Sequence, residues 1–101
     1  MNRVEEKISV ENINTPGRSA QVNAEKYKAA RAAFLKILPT NEPGLTQKEI
    51  QQTIVKFLPD DLFPGGSTSG WWAKTVQLDL EAKGVVVREK SKPLRWHKLE
   101  D

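Results

Sequence analysis

Prolines and glycines cut this chain into three helix-length segments followed by two strand-length ones, and that order limits the fold more than any other feature. Residues 24–38 read as the first helix. Asn23 suits its N-cap, and Glu25 suits the positive end of the helix dipole. Tyr27, Ala30, Phe34 and Ile37 repeat at the three-four spacing of one buried stripe. Leu38-Pro39 stops the helix, because the residue before proline is pushed out of the helical region. Pro43-Gly44 marks a turn. Thr46-Gln-Lys-Glu49 then has the form of a capping box, which predicts a second helix to about Leu58 burying Ile50, Ile54 and Phe57, with Pro59 as its end.

Residues 59–68 read as a loop anchored by Leu62 and Phe63. Ser67, Thr68 and Ser69 offer caps for a third helix that runs to Lys83, and Gly84 stands where a left-handed residue closes a helix. Val85-Val-Val87 is β-branched and reads as a strand. Glu89 to Pro93 is a polar turn, and Leu94 to Leu99 alternates as the returning strand. Two strands this short cannot stand alone and must fold back onto the helices. The expectation is an α+β chain with three helices followed by a C-terminal β-hairpin over residues 23–101. Residues 1–22 form an N-terminal arm. Lys7-Ile-Ser-Val-Glu11 alternates like a strand, Thr15-Pro16-Gly17 signals a turn, and Ala20-Gln-Val22 offers a short return. The arm therefore either lies over the domain or packs on it as a hairpin.

At 101 residues the chain is one ordinary domain. A domain this small buries only about two-thirds of the surface its unfolded chain exposes, so a few large side chains carry much of the core. Trp71, Trp72, Trp96, Phe34, Phe57, Phe63 and Tyr27 are the candidates. With no cysteine there are no disulfides, no thiolate chemistry and no cysteine-bearing zinc site. No stretch approaches the roughly 18–20 apolar residues of a membrane span, and Met1 to Val10 holds no signal-peptide core. A cytoplasmic, soluble protein is the expectation.

The formal charge of +3 is weak, but its placement is uneven. Residues 83–98 hold Lys83, Arg88, Lys90, Lys92, Arg95 and Lys98 against Glu89 alone. Lys26, Lys28, Arg31 and Lys36 make the first helix basic as well. Cations on a hairpin often serve only to keep an edge strand from aggregating. Six against one over this stretch exceeds that need, so phosphate contact is a live reading.

Nothing in the sequence assembles an active site. His97 is the lone histidine and reads as a packed or edge residue on the last strand. No Ser, Asp and His set with an elbow motif is present. Asp60 and Asp61 read as solvated carboxylates in an open turn. Gly65-Gly-Ser-Thr-Ser-Gly70 lacks the Lys-Ser/Thr ending of a phosphate-binding loop. It reads as a flexible loop and cap. The chain is expected to be no enzyme and to need no cofactor or metal.

The run Leu80-Glu-Ala-Lys-Gly-Val-Val86 resembles the end of the third helix and start of the wing in winged helix-turn-helix proteins. The resemblance covers residues 24–99. The chain is also similar to a family of small uncharacterised bacterial proteins through Leu62-Phe-Pro-Gly-Gly66, Gly70-Trp-Trp72, Val76-Gln-Leu-Asp-Leu80 and Pro93-Leu-Arg-Trp96. The winged-helix resemblance implies a third helix entering the major groove of double-stranded DNA, with Thr68, Trp71, Lys74, Thr75 and Leu78 facing it. It implies a wing whose Arg88, Lys90, Lys92 and Arg95 meet phosphates. The loop between the second and third helices is longer than a tight helix-turn-helix turn.

On a helical wheel the third helix carries two apolar stripes. Trp72, Ala73, Val76 and Leu80 make the core face. Trp71, Leu78 and Ala82 lie opposite, flanked by Lys74 and Thr75, with Asp79 at the margin, where a carboxylate would repel phosphate. A DNA-reading helix normally presents Arg, Lys, Asn or Gln. Three covers for the second stripe compete: the N-terminal arm, a second copy of the protein, and another protein or DNA. DNA binding by the wing is thus one expected function. A protein-interaction or homodimerisation module anchored on Trp71 and Leu78 is the alternative.

Overall fold

A computed structural model describes residues 6–99 as a mixed α+β fold. The chain opens with two antiparallel strands, β1 (Lys7–Glu11) and β2 (Ser19–Asn23), in the register Ile8↔Val22 and Val10↔Ala20. The arm is therefore a hairpin, and its Val10 and Val22 join the core. α1 (Ala24–Ile37) follows without a break, because the Asn23 side chain accepts the Lys26 N–H and caps it. Its inner stripe is Tyr27, Ala30, Ala33 and Phe34. Leu38 turns extended, donates its N–H to Phe34 and is buried.

Residues Leu45–Thr46 form a two-residue strand, β3, that sequence patterning does not reveal. Thr46 then caps α2 (Gln47–Ile54) in the expected reciprocal box with Glu49. The two hydrogen bonds from Thr46 hold the Glu49 carboxyl below its ordinary range. α2 buries Ile50 and Ile54 but stops sooner than expected. Val55–Phe57 tighten into one 3₁₀ turn. At three residues per turn the side chain of Phe57 is carried away from the buried stripe. It is 42% exposed, with the Lys36 ammonium 4.9 Å from its ring centre, and Leu58 packs on the core in its place.

Phe63 anchors the connection as expected and is buried. α3 (Ser69–Ala82) begins at Thr68, whose backbone lies in the left-handed region at φ 58°. Among the described residues no side chain caps it: the Thr68 hydroxyl donates to the Ser67 carbonyl instead. Its other end closes as expected. Gly84 sits at φ 74°, with Val85 N–H donating to Leu80 and Gly84 N–H to Glu81. β4 (Val86–Glu89) and β5 (Arg95–Lys98) pair antiparallel, and β3 adds to the other edge of β5, giving the order β3-β5-β4.

Gly44 holds that sheet in place. Its N–H donates to Glu89 Oε2 at 2.7 Å and its carbonyl accepts from Arg95 at 2.9 Å. A Cβ there would lie 1.9 Å from the Trp96 carbonyl oxygen, so backbone would have to move. Gly44→Ala is expected to destabilise the fold by about 2 kcal/mol or more. Urea denaturation checks this, and a wild-type midpoint would show that β3 is not clamped against β5.

Candidate functional site

α3 is the element on which the rest converges. Trp72, Ala73, Val76 and Leu80 face the core as the wheel requires. Three polar side chains are buried with them: Gln77, Asp79 and Glu81. Among the described residues the amide nitrogen of Gln77 has no hydrogen-bond partner.

Asp79 does not stand at the margin of an outward surface. It is fully buried, because β1 closes over it. Its carboxylate accepts the Glu11 N–H at 2.8 Å and the Tyr27 hydroxyl, and Lys83 pairs with it at 2.9 Å. Burial, followed by the bond to this carboxylate, raises the Tyr27 pKa well above the usual tyrosine range. Glu81 lies two residues on and so points the other way, toward β4 and β5. It accepts the Trp96 indole N–H and a two-pronged contact from Arg88 at 3.0 and 3.3 Å.

These contacts separate the basic residues into two groups. Arg88 is held by Glu81 and lies over the Trp96 ring. Arg95 bonds the Gly44 carbonyl and lies 3.5 Å from Glu49. Lys98 donates to the Leu35 carbonyl, tying β5 to the end of α1. His97 packs with Nδ1 2.8 Å from Glu89. In contrast, the side chains of Lys74 on α3 and of Lys90 and Lys92 between β4 and β5 make no hydrogen bond or ion pair among the described residues. Of the residues that the resemblance assigns to phosphate, the two arginines are engaged within the protein and the two lysines face outward.

The second apolar stripe of α3 is half covered. The hairpin lies along it and leaves a groove of about 260 Å³ between them. Val10, Ala20 and Val22 form one wall, with Trp71, Thr75 and Leu78 forming the other. Trp71 is 55% exposed, and its ring stacks edge-on against Trp72 at 4.9 Å, which in turn meets Phe63 at 6.2 Å. A run of aromatic contacts thus leads from the surface to the core. Thr68, the remaining assigned contact, is exposed at the start of the helix. The N-terminal arm is one of the three covers the sequence offers for this stripe; what the alternation of residues 7–22 does not fix is which of them line the groove.

Among the described residues no three of His, Asp and Glu gather as a metal site, and no helix is long and apolar enough to cross a membrane. The chain matches a family of unknown function, DUF6958, over residues 7–96, and belongs to that family. No curated protein and no solved structure matches it.

Two stability measurements test these assignments. Asp79→Ala leaves the Lys83 charge, the Tyr27 hydroxyl and the Glu11 amide without their acceptor, and is expected to cost about 3 kcal/mol in chemical denaturation. A loss under about 1 kcal/mol would mean the hairpin does not depend on it. Arg88→Ala strips the cation from a buried carboxylate and is expected to cost about 2 kcal/mol, while Lys90→Ala and Lys92→Ala stay within about 0.5 kcal/mol of wild type. Equal effects at all three positions would erase the distinction between internal and outward cations.

Proposed function

We propose that this protein is a non-catalytic winged-helix interaction module that docks an apolar protein segment on the outward face of α3, with Trp71 and Leu78 as anchors. The winged-helix reading is supported by the element order: three helices, then two antiparallel strands whose sheet packs against α3. The docking reading is carried by one observation, the half-exposed Trp71 beside a groove walled by Leu78, Thr75 and the hairpin. Tryptophan is enriched among the few residues that dominate interface energies, and here it stands on a rigid helix and loses little freedom on binding.

Binding of double-stranded DNA is the second reading. It is favoured by Lys74, Lys90 and Lys92, whose side chains make no hydrogen bond or ion pair among the described residues. It is weakened by the internal use of Arg88 and Arg95, which leaves fewer charges to displace counterions.

One pair of assays separates the two. Random peptides displayed on phage are selected on the wild-type protein and rescreened on Trp71→Ala and Leu78→Ala. Expected are peptides with large apolar side chains whose binding falls at least about tenfold in both variants, with melting temperatures that show both variants folded. In parallel, duplex DNA of mixed sequence is titrated by fluorescence anisotropy at low and moderate salt. Tight, salt-sensitive DNA binding that Lys92→Ala weakens, with no peptide selected, would overturn the docking reading in favour of DNA.

A further inference from the structure

We propose that the occupant of the groove is a second copy of this chain, in a two-fold pairing that places each copy's Trp71 in the other's groove. This rests on reading the outward face of α3 as a docking surface and names its partner. The first argument is size. A groove of about 260 Å³ falls short of the roughly 300–1,000 Å³ of small-molecule sites and suits one large side chain. A side chain of that kind stands at its own rim: Trp71 lines the groove and is 55% exposed. A two-fold axis beside this face brings the same patch on both copies together, so that Trp71 is both the inserted residue and part of the receiving wall.

The second argument is charge. Glu11 and Arg18 are the charged residues lining the groove, one of each sign. Both are exposed, and among the described residues neither side chain makes an ion pair. A rim of one sign would repel its own copy. A rim with both signs complements itself, with Glu11 of each copy facing Arg18 of the other. A phosphate-bearing partner or a uniformly acidic one would meet Glu11 as a like charge. Between the two charges the apolar lining of Val10, Ala20, Val22 and Leu78 supplies the surface that pairing removes from water.

The test is sedimentation equilibrium of the full chain from micromolar to millimolar concentration. Wild type is expected to dimerise. Trp71→Ala is expected to stay monomeric. Glu11→Arg and Arg18→Glu are each expected to weaken the dimer by about tenfold or more, since each change turns two attractive contacts into repulsive ones. An equimolar mixture of those two variants is expected to recover association, because the reversed charges then match across the pair. That recovery does not depend on Trp71→Ala remaining folded. Wild type monomeric at every concentration overturns the proposal, as does a mixture that fails to associate when the wild type does. A monomer that still selects peptides through Trp71 keeps the docking surface and removes the second copy. A monomer that selects none removes both, whereas a dimer indifferent to Trp71 and to the two charges removes the second copy from the groove and leaves the docking surface to the peptide selection.

Discussion

Two buried carboxylates on one helix hold this fold together. Asp79 and Glu81 are two residues apart, so they leave α3 on nearly opposite sides. A buried carboxylate is tolerated only where cations and hydrogen-bond donors surround it. Asp79 finds them in β1, in Tyr27 of α1 and in Lys83. Glu81 finds them in Arg88 of β4 and Trp96 of β5. Each carboxylate therefore fixes a different flank of the molecule to the same helix. The N-terminal hairpin is held on one side and the C-terminal sheet on the other. Apolar packing alone, being non-directional, would allow either flank to slide.

This arrangement changes what the basic C-terminal segment means. Counted along the chain, residues 83–98 form a strongly positive stretch. In three dimensions Lys83 neutralises Asp79, Arg88 neutralises Glu81 and Arg95 bridges Gly44 and Glu49. Of the segment's six cations, Lys90 and Lys92 are the exposed ones whose side chains make no hydrogen bond or ion pair among the described residues. Arginine suits the internal role because its planar fork can bind both oxygens of one carboxylate while its face rests on an indole. Lysine on an exposed turn makes no such demand on its surroundings.

The same hairpin that seals Asp79 leaves the helix face beside it half open. Val10 and Val22 reach the core, but Ala20, opposite Val10 in the register, is too short to fill the space against Trp71 and Leu78. The groove results from a small residue at an inward-facing position of a covering strand. Of the three covers open for the second apolar stripe, the arm supplies one part of the answer. The remaining part is the half-exposed Trp71 indole, which rests edge-on against Trp72 and leaves its other surface open.

The sequence by itself determined the local structure: the Asn23 cap, the Thr46–Glu49 box, the Gly84 stop and the apolar stripes of the three helices. Each depends on residues within about one helical turn of one another, so short-range stereochemistry suffices. Tertiary structure alone decided the burial of Asp79, the engagement of Arg88 and Arg95, the strand at Leu45–Thr46 and the outward turn of Phe57. The first three depend on contacts between residues far apart in the chain, such as Glu11 with Asp79 and Gly44 with Arg95. Such contacts leave no periodic trace. Phe57 followed the one-turn tightening at the end of α2, and a pattern read at 3.6 residues per turn passes over a change to three.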